Sequence, residues 1–245
     1  MINVVIPMAG QGSRFIKAGY KTPKPFIDIR GTTLIELVLK NLIINDAQYL
    51  LLARSEHLDA ESKTVKRIKD NFNVKFIPVD KLTEGAACTV LHAHKLINND
   101  TPLLLANSDQ YIEADIGDYI NDCNHRNLDG SILTFIDSDR DPKWSFARIN
   151  SEKLVEEVKE KEPISEFATT GLYYFSKGKF FVEAAIDMIV ANDRVNGEFY
   201  TCPTYNYCIA SGQRIGIYNI NANNMHGLGT PDDLNSFIKS GLCPS

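Results

Sequence analysis

The chain has 245 residues, 44% of them hydrophobic and 23% charged, with a formal net charge of -5. That length allows one large domain or two small ones, and the apolar content supplies a core that needs no disulfide or metal staple. The mildly acidic balance argues against a general nucleic-acid binder, which shows an excess of Lys and Arg, and no run approaches the ~20 consecutive apolar residues of a membrane span.

In chain order, residues 2–8 are a short apolar run ending in glycine-rich punctuation and read as a buried strand. Residues 32–42 have helical spacing with Thr32 or Thr33 as N-cap. Strand-like runs at 49–53, 74–78 and 102–106 alternate with helical stretches at 60–71 and 86–97. Such alternation predicts a parallel α/β sheet with helices on both faces. Four strand candidates follow with few helices between them, at 131–136, 146–149, 154–158 and 170–175. They suggest a mixed extension of the sheet. Helices are expected at 179–191, 198–211 and 231–239, with a strand at 214–219. No linker or repeat interrupts the chain, so a single domain over 1–245 is expected. In it, 1–130 would bind a nucleotide and 131–240 a second substrate.

The five cysteines, Cys88, Cys123, Cys202, Cys208 and Cys243, are odd in number and lack a C-x-x-C pair. This points to reduced thiols rather than a disulfide framework or zinc site. The N-terminal stretch has neither the basic start nor the long apolar run of a secretory signal, and a cytoplasmic protein is expected.

The first chemistry-bearing segment is Ala9-Gly10-Gln11-Gly12-Ser13-Arg14-Phe15, followed by Lys21-Thr22-Pro23-Lys24-Pro25-Phe26. Two glycines let the backbone approach a phosphate, and consecutive backbone N–H groups form an anion-binding concavity. Arg14 can add a bidentate contact to phosphate oxygens. Prolines on both sides restrict the backbone at Lys24, so this cation loses little entropy on meeting a charged ligand. A dinucleotide fingerprint fails because Phe15 stands at the third glycine position, and the Gly-Lys-Ser/Thr of a P-loop is absent.

This order, spacing and choice of residues resembles the signature of the sugar-phosphate nucleotidyltransferases, A-A-G-x-G-[ST]-R-[LFM] and then P-K-[PA]. The resemblance implies a Rossmann-like three-layer α/β/α fold with a mostly parallel mixed sheet, of the nucleotide-diphospho-sugar transferase type. It also implies binding of an NTP and a small phosphorylated sugar or polyol. Arg14 would contact the triphosphate, Lys24 would neutralise charge at the reacting phosphate, and Ala9, Gly10, Gln11, Gly12 and Ser13 would line the nucleotide.

Further segments extend the resemblance along residues 2–240. Thr83-Glu84-Gly85-Ala86-Ala87 is similar to the family's base- and ribose-cradling segment, with Gly85 allowing close approach and Ala86 leaving room for a flat ring. Asn107-Ser108-Asp109 ends an apolar strand, on the edge where open α/β sheets bind ligands. A carboxylate there suits Mg²⁺, and the resemblance makes Asp109 a metal ligand. Val158-Lys159-Glu160-Lys161 is similar to a V-x-E-K-P segment whose lysine grips the sugar phosphate and whose glutamate takes a ring hydroxyl. Gly171 matches a glycine facing the sugar. Glu198 either touches the second substrate or favours a helix N-terminus.

Gly229-Thr230-Pro231-Asp232-Asp233-Leu234 matches the family's closing segment. The second metal-binding aspartate that normally precedes it is replaced by Gly227, leaving His226 or Asn223 as substitutes, or a metal held by Asp109, phosphates and water alone. The activity implied is condensation of an NTP with a sugar 1-phosphate or similar ester, releasing pyrophosphate, in a setting such as capsule or lipopolysaccharide precursor supply. A homo-oligomer is compatible with it. Two competing readings are a metal-dependent glycosyltransferase using Asp137 and Asp139 as a D-x-D, and a non-catalytic nucleotide-binding protein.

Overall fold

The first apolar run forms β1 (Ile2–Pro7). The computed structural model describes residues 1–243. After β1 come a short helix α1 (Ser13–Lys17), a small hairpin of β2 (Asp28–Ile29) and β3 (Thr32–Thr33), and α2 (Leu34–Asn41). The chain continues through β4 (Ala47–Arg54), α3 (Ser55–Ala60), α4 (Ser62–Asn71), β5 (Val74–Val79), α5 (Ala86–Leu91), α6 (His94–Ile97) and β6 (Leu103–Ala106). The second half holds β7 (Gln110–Ile112), α7 (Ile116–His125), β8 (Gly130–Ile136), β9 (Ser145–Ile149), β10 (Val155–Glu160) and β11 (Phe167–Phe175). It closes with α8 (Gly178–Val190), α9 (Thr204–Ala210), β12 (Ile215–Ile220), β13 (Met225–Gly227) and α10 (Pro231–Ser240).

One nine-stranded sheet runs through the molecule in the order β10-β9-β11-β6-β1-β4-β5, with β8 on β11 and β12 on β8. Strands β6, β1, β4 and β5 are parallel. Strand β11 joins them antiparallel to β6 and carries β8 and β9 antiparallel to itself. Residues of β1 alternate between two cores. Val4 and Ile6 pack with α2, α4, α7 and α10, whereas Val5 packs with α5, α8 and α9. Burial on both faces is why this strand reads as an unbroken apolar run. The result is the expected three-layer α/β/α fold with a mixed sheet.

The sheet order places the site. From β1 the chain grows outward through β4 and β5, then returns to add β6 on the other side of β1. Ligands of open α/β sheets bind at such a reversal, outside the carboxyl ends of the two strands. The loops leaving β1 and β6 are the segments that begin at Met8 and Asn107.

Local chemistry explains most element boundaries. At α2, Thr33 is the N-cap: its N–H donates to Glu36 Oε2 at 2.8 Å, and Glu36 N–H donates to Thr33 Oγ1 at 3.4 Å, a reciprocal capping box. Arg67 of α4 adds a two-pronged contact to the same carboxylate, at 3.0 and 2.6 Å. Burial alone would raise the Glu36 pKa, but the bonds from Arg67 and Thr33 outweigh it and hold it below 4.5.

Two expectations are corrected. The helix expected at 86–97 is two, because His92 and Ala93 donate to Thr89 and Val90 three residues back and tighten the chain between α5 and α6. The helix expected from 198 starts only at Thr204, after Pro203, since a residue preceding proline is disfavoured in the helical region. Helix α7 is an addition to the expected elements; Asp115 caps it through bonds from Gly117 and Asp118 N–H.

Candidate active site

Around the reversal in strand order, three separate segments bring charge together. Gly12 ends the loop after β1 in a left-handed conformation, φ 62°, and opens α1, which carries Arg14. Lys24 begins a turn of 3-10 helix over residues Lys24–Phe26, with Pro25 and Phe26 buried beneath it. A Cβ on Gly12 would stand 3.2 Å from Lys24 Cβ, so the glycine lets these two segments lie side by side. Asp109 follows β6, and its backbone oxygen accepts from Leu228 N–H at 2.7 Å.

The side chains converge. Lys24 Nζ lies 2.5 Å from Asp109 Oδ2, with side-chain exposures of 16% and 31%. A Cβ placed on Gly229 would be 3.2 Å from Asp109 Oδ2 and 3.8 Å from Arg14 Nη1. Arg14 and Asp109 therefore meet at the Gly229 turn, and Lys24 joins them through Asp109. Gly10 and Gln11 are exposed, and beyond its chain neighbours no atom lies within 4 Å of where a Gly10 Cβ would point. Ala9 is buried and Ser13 is exposed.

A second polar group lies on the other half of the sheet. Glu160, at the end of β10, accepts from Ser145 Oγ of β9. Lys161 comes next in a left-handed conformation, φ 58°, and its Nζ donates to Tyr200 Oη at 2.5 Å. Burial raises the Glu160 pKa above 4.5; the negative charge of Glu198 works in the same direction, against the bond from Ser145 and the charge of Lys161. Burial likewise raises that of Tyr200. Glu160, Lys161 and Glu198 are thus neighbours, as the sequence segments suggested, while Glu162 is exposed. Tyr200 and Ser145 are additions that the sequence does not single out. The only signal for Tyr200 is its place two residues after Glu198.

Two glycines turn out to serve packing. Gly85, φ 128°, has the backbone of Phe199 against it: a Cβ would meet Phe199 O at 2.3 Å. Its close approach is therefore to the chain itself. Phe199 N–H donates to Glu84 O, Ala87 N–H donates to Phe199 O, and Arg194 bridges Glu84 while lying over the Phe199 ring. Ala86, beside this junction, keeps partial exposure. Gly171, φ 90°, sits where the β11–β8 register shifts, and a Cβ there would strike Asn107 Nδ2 at 2.2 Å and Gln110 Oε1 at 2.5 Å. It faces those amides rather than open space, and Asn107 N–H donates to its carbonyl.

Other expectations fail on geometry. Glu198 is not at a helix N-terminus; it pairs with Val195 in a turn. His226 is not placed as a metal ligand beside Asp109. Its Nε2 meets Glu113 Oε1 at 2.8 Å, and its ring lies near Tyr111 and Phe237. Strand alternation puts it on the opposite face from Gly227. Among the described residues no group of three or more His, Cys, Asp or Glu could hold a metal. A lone carboxylate still fits Mg²⁺, which commonly takes one or two carboxylates and completes its shell with substrate phosphates and water. The D-x-D alternative is weakened because Asp137 Oδ2 accepts from Asp141 N–H within its own turn, and Asp139 points to solvent. Two recesses of about 570 Å³ lie apart from the Lys24–Asp109 pair, one around Met1, Ile43 and Phe72 and one around Lys81, Cys88 and His92. The charge convergence, not cavity size, marks the site.

The nucleotidyl transferase family model matches residues 3–202. The chain is 24% identical over 182 residues to a bifunctional protein GlmU of Methanococcus aeolicus, a match covering 73% of this chain and 41% of that relative. The chain thus spans about two fifths of that relative's length. It is similar in structure to a nucleoside-diphosphate-sugar pyrophosphorylase from Vibrio cholerae RC9, with a TM-score of 0.81, 26% identity, and coverage of 96% of this chain and 99% of that one. It also shares its fold with the inositol-1-phosphate CTP transferase from T. maritima, with a TM-score of 0.71 and 14% identity over 100% of this chain and 98% of that one.

Proposed function

Because the chain belongs to the nucleotidyl transferase family, we propose that it joins the nucleoside monophosphate of an NTP to a small phosphorylated sugar or polyol and releases pyrophosphate. The observation that carries this reading is the meeting of Arg14, Lys24 and Asp109 at the carboxyl ends of β1 and β6.

An acceptor phosphate oxygen attacks the α-phosphorus. A new P–O bond forms, the bond to the β-phosphate oxygen breaks, and pyrophosphate leaves with that electron pair. A phosphate monoester is already a nucleophile, so no Ser–His or Cys–His pair is required. Catalysis is positioning and charge neutralisation. In this reading Arg14 holds the β- and γ-phosphates and Lys24 the α-phosphate. Ala9, Gly10, Gln11, Gly12 and Ser13 line the nucleotide, with Asn107 and Ala86 beside the base and ribose. Lys161 grips the acceptor phosphate, with Glu160 and Glu198 toward the rest of the acceptor. Asp109 would hold Mg²⁺, which when bound lowers the repulsion between triphosphate and acceptor.

One domain with a nucleotide half over 1–130 and an acceptor half over 131–240 is part of the same reading. So is a cytoplasmic role in supplying activated precursors for surface polysaccharide. The nucleoside-diphosphate-sugar pyrophosphorylase from Vibrio cholerae RC9 supports a sugar phosphate as acceptor. The test is pyrophosphate release from each of the common NTPs against a panel of glucose 1-phosphate, mannose 1-phosphate, glycerol 3-phosphate and ribitol 5-phosphate. Release that depends on both an NTP and one ester supports the reading; no release from any pair rejects it.

A further inference from the structure

The acceptor half contains a contact that the reaction outline leaves unused. Lys161 has a fixed backbone, left-handed and bonded through its N–H to Trp144 O at 3.1 Å. Its side chain, by contrast, is a flexible stem with a point charge at the end. Two carboxylates lie close by: Glu160 feels the charge of Lys161, and Glu198 hydrogen-bonds the Tyr200 side chain. The amine goes instead to the Tyr200 phenol, 2.5 Å from Oη and 4.5 Å from the ring centroid. Tyr200 is firmly mounted. It follows Phe199, whose N–H and carbonyl are both bonded to the 84–87 segment and whose side chain is buried.

A phenol accepts a hydrogen bond from an ammonium without neutralising it, and an aromatic face adds cation–π attraction. An ammonium has three donors, so one on Tyr200 leaves two for a ligand. A carboxylate partner would cancel the charge and would have to be displaced by each incoming phosphate. We propose that Tyr200 is a positioning residue: it holds Lys161 off Glu160 and Glu198 and presents its amine, not bound to a carboxylate, to the acceptor phosphate. This rests on the reading of Lys161 given above.

The experiment measures steady-state kinetics with the fastest ester of the panel above, in wild type, Tyr200→Phe, Tyr200→Gln, Tyr200→Leu, Lys161→Met and the Lys161→Met/Tyr200→Phe double variant, with melting temperatures as a control. Tyr200→Phe keeps the ring and loses the acceptor oxygen. It is expected to raise the KM for the ester roughly ten-fold, the lower end of what a hydrogen bond to a charged group is worth, with kcat and the KM for NTP little changed. In the Lys161→Met background it should add nothing. Tyr200→Gln, which keeps an acceptor oxygen, should retain more affinity than Tyr200→Leu. Wild-type KM in Tyr200→Phe, an undiminished effect without Lys161, or equal loss in Gln and Leu variants overturns the proposal. Unchanged ester KM in Lys161→Met overturns the reading beneath it, and absence of turnover with every ester overturns both.

Discussion

Lys24 and Asp109, 85 residues apart in the chain, meet with Nζ 2.5 Å from Oδ2. In the proposed reaction these groups would part, Lys24 to meet the α-phosphate and Asp109 to hold Mg²⁺. Metal and triphosphate binding are then coupled, since either ligand separates the pair for the other. Asp109→Asn should bind inorganic triphosphate in EDTA about five-fold more tightly than wild type, the upper range for a partly exposed ion pair. Titration calorimetry measures this. The gain should vanish in a Lys24→Met background; a gain that persists there would reflect general charge removal instead.

Lys24→Ala should lower turnover by ~10²–10³, comparable to losing one positioned oxyanion donor. Rates of pyrophosphate release at saturating substrates test it. Turnover near wild type would remove Lys24 from the reacting phosphate.

The glycines separate into two kinds. Gly85 and Gly171 have positive φ, and other atoms of the protein lie within 2.5 Å of where a Cβ on either would stand. Alanine at either should cost at least ~1–3 kcal/mol of stability, the range for a strained backbone, and lower the melting temperature. Gly10 has open space there. Gly10→Ala should fold normally and weaken NTP binding, because in the proposed reading this loop lines the nucleotide. Normal melting in Gly171→Ala, or normal NTP affinity in Gly10→Ala, would contradict this division.

Much of this architecture is legible in the sequence because its signals are local. Apolar runs mark the strands, Thr32 or Thr33 marks the cap of α2, and the Gly10–Arg14 loop with Pro23-Lys24-Pro25 marks the proposed phosphate site. What is not legible depends on contacts between distant segments. Gly85 is explained by Phe199, Gly171 by Asn107 and Gln110, and the geometry of Lys161 by Tyr200. No spacing rule links such pairs. His226 misleads for the same reason: a histidine near a missing aspartate gains a role only through its neighbours, and they are Glu113, Tyr111 and Phe237. The start after Pro203 and the cap at Asp115 are local signals too, and they mark the helix boundaries that the apolar spacing alone misplaces or omits.

Gly227 offers a gain-of-function test. It stands in β13 opposite Gln110, and a Cβ there would have Trp144 4.0 Å away as its nearest neighbour. The position therefore accepts a side chain without backbone strain. Gly227→Asp restores the carboxylate that the motif resemblance places there, and a second carboxylate suits Mg²⁺. The Mg²⁺ concentration for half-maximal rate should fall several-fold, roughly what one added charge contributes near a divalent ion. An unchanged Mg²⁺ dependence would place this side chain away from the metal.

Stability should depend on pH through Glu36. Its folded pKa is depressed below 4.5, so its contribution is present above 4.5 and is lost as pH falls through the lower folded value. Melting temperature should drop in that acidic window, and Glu36→Gln should be less stable at neutral pH with a flatter acid limb. Equal acid limbs in the two proteins would exclude Glu36 as a source of the loss.

The most direct test of the central claim follows the α-phosphate. With NTP labelled at the α-position, Mg²⁺ and the preferred ester, the label should appear in a product that also contains the ester, with one pyrophosphate released per product. Release of orthophosphate, or tight NTP binding with the label remaining in NTP, would contradict the assignment.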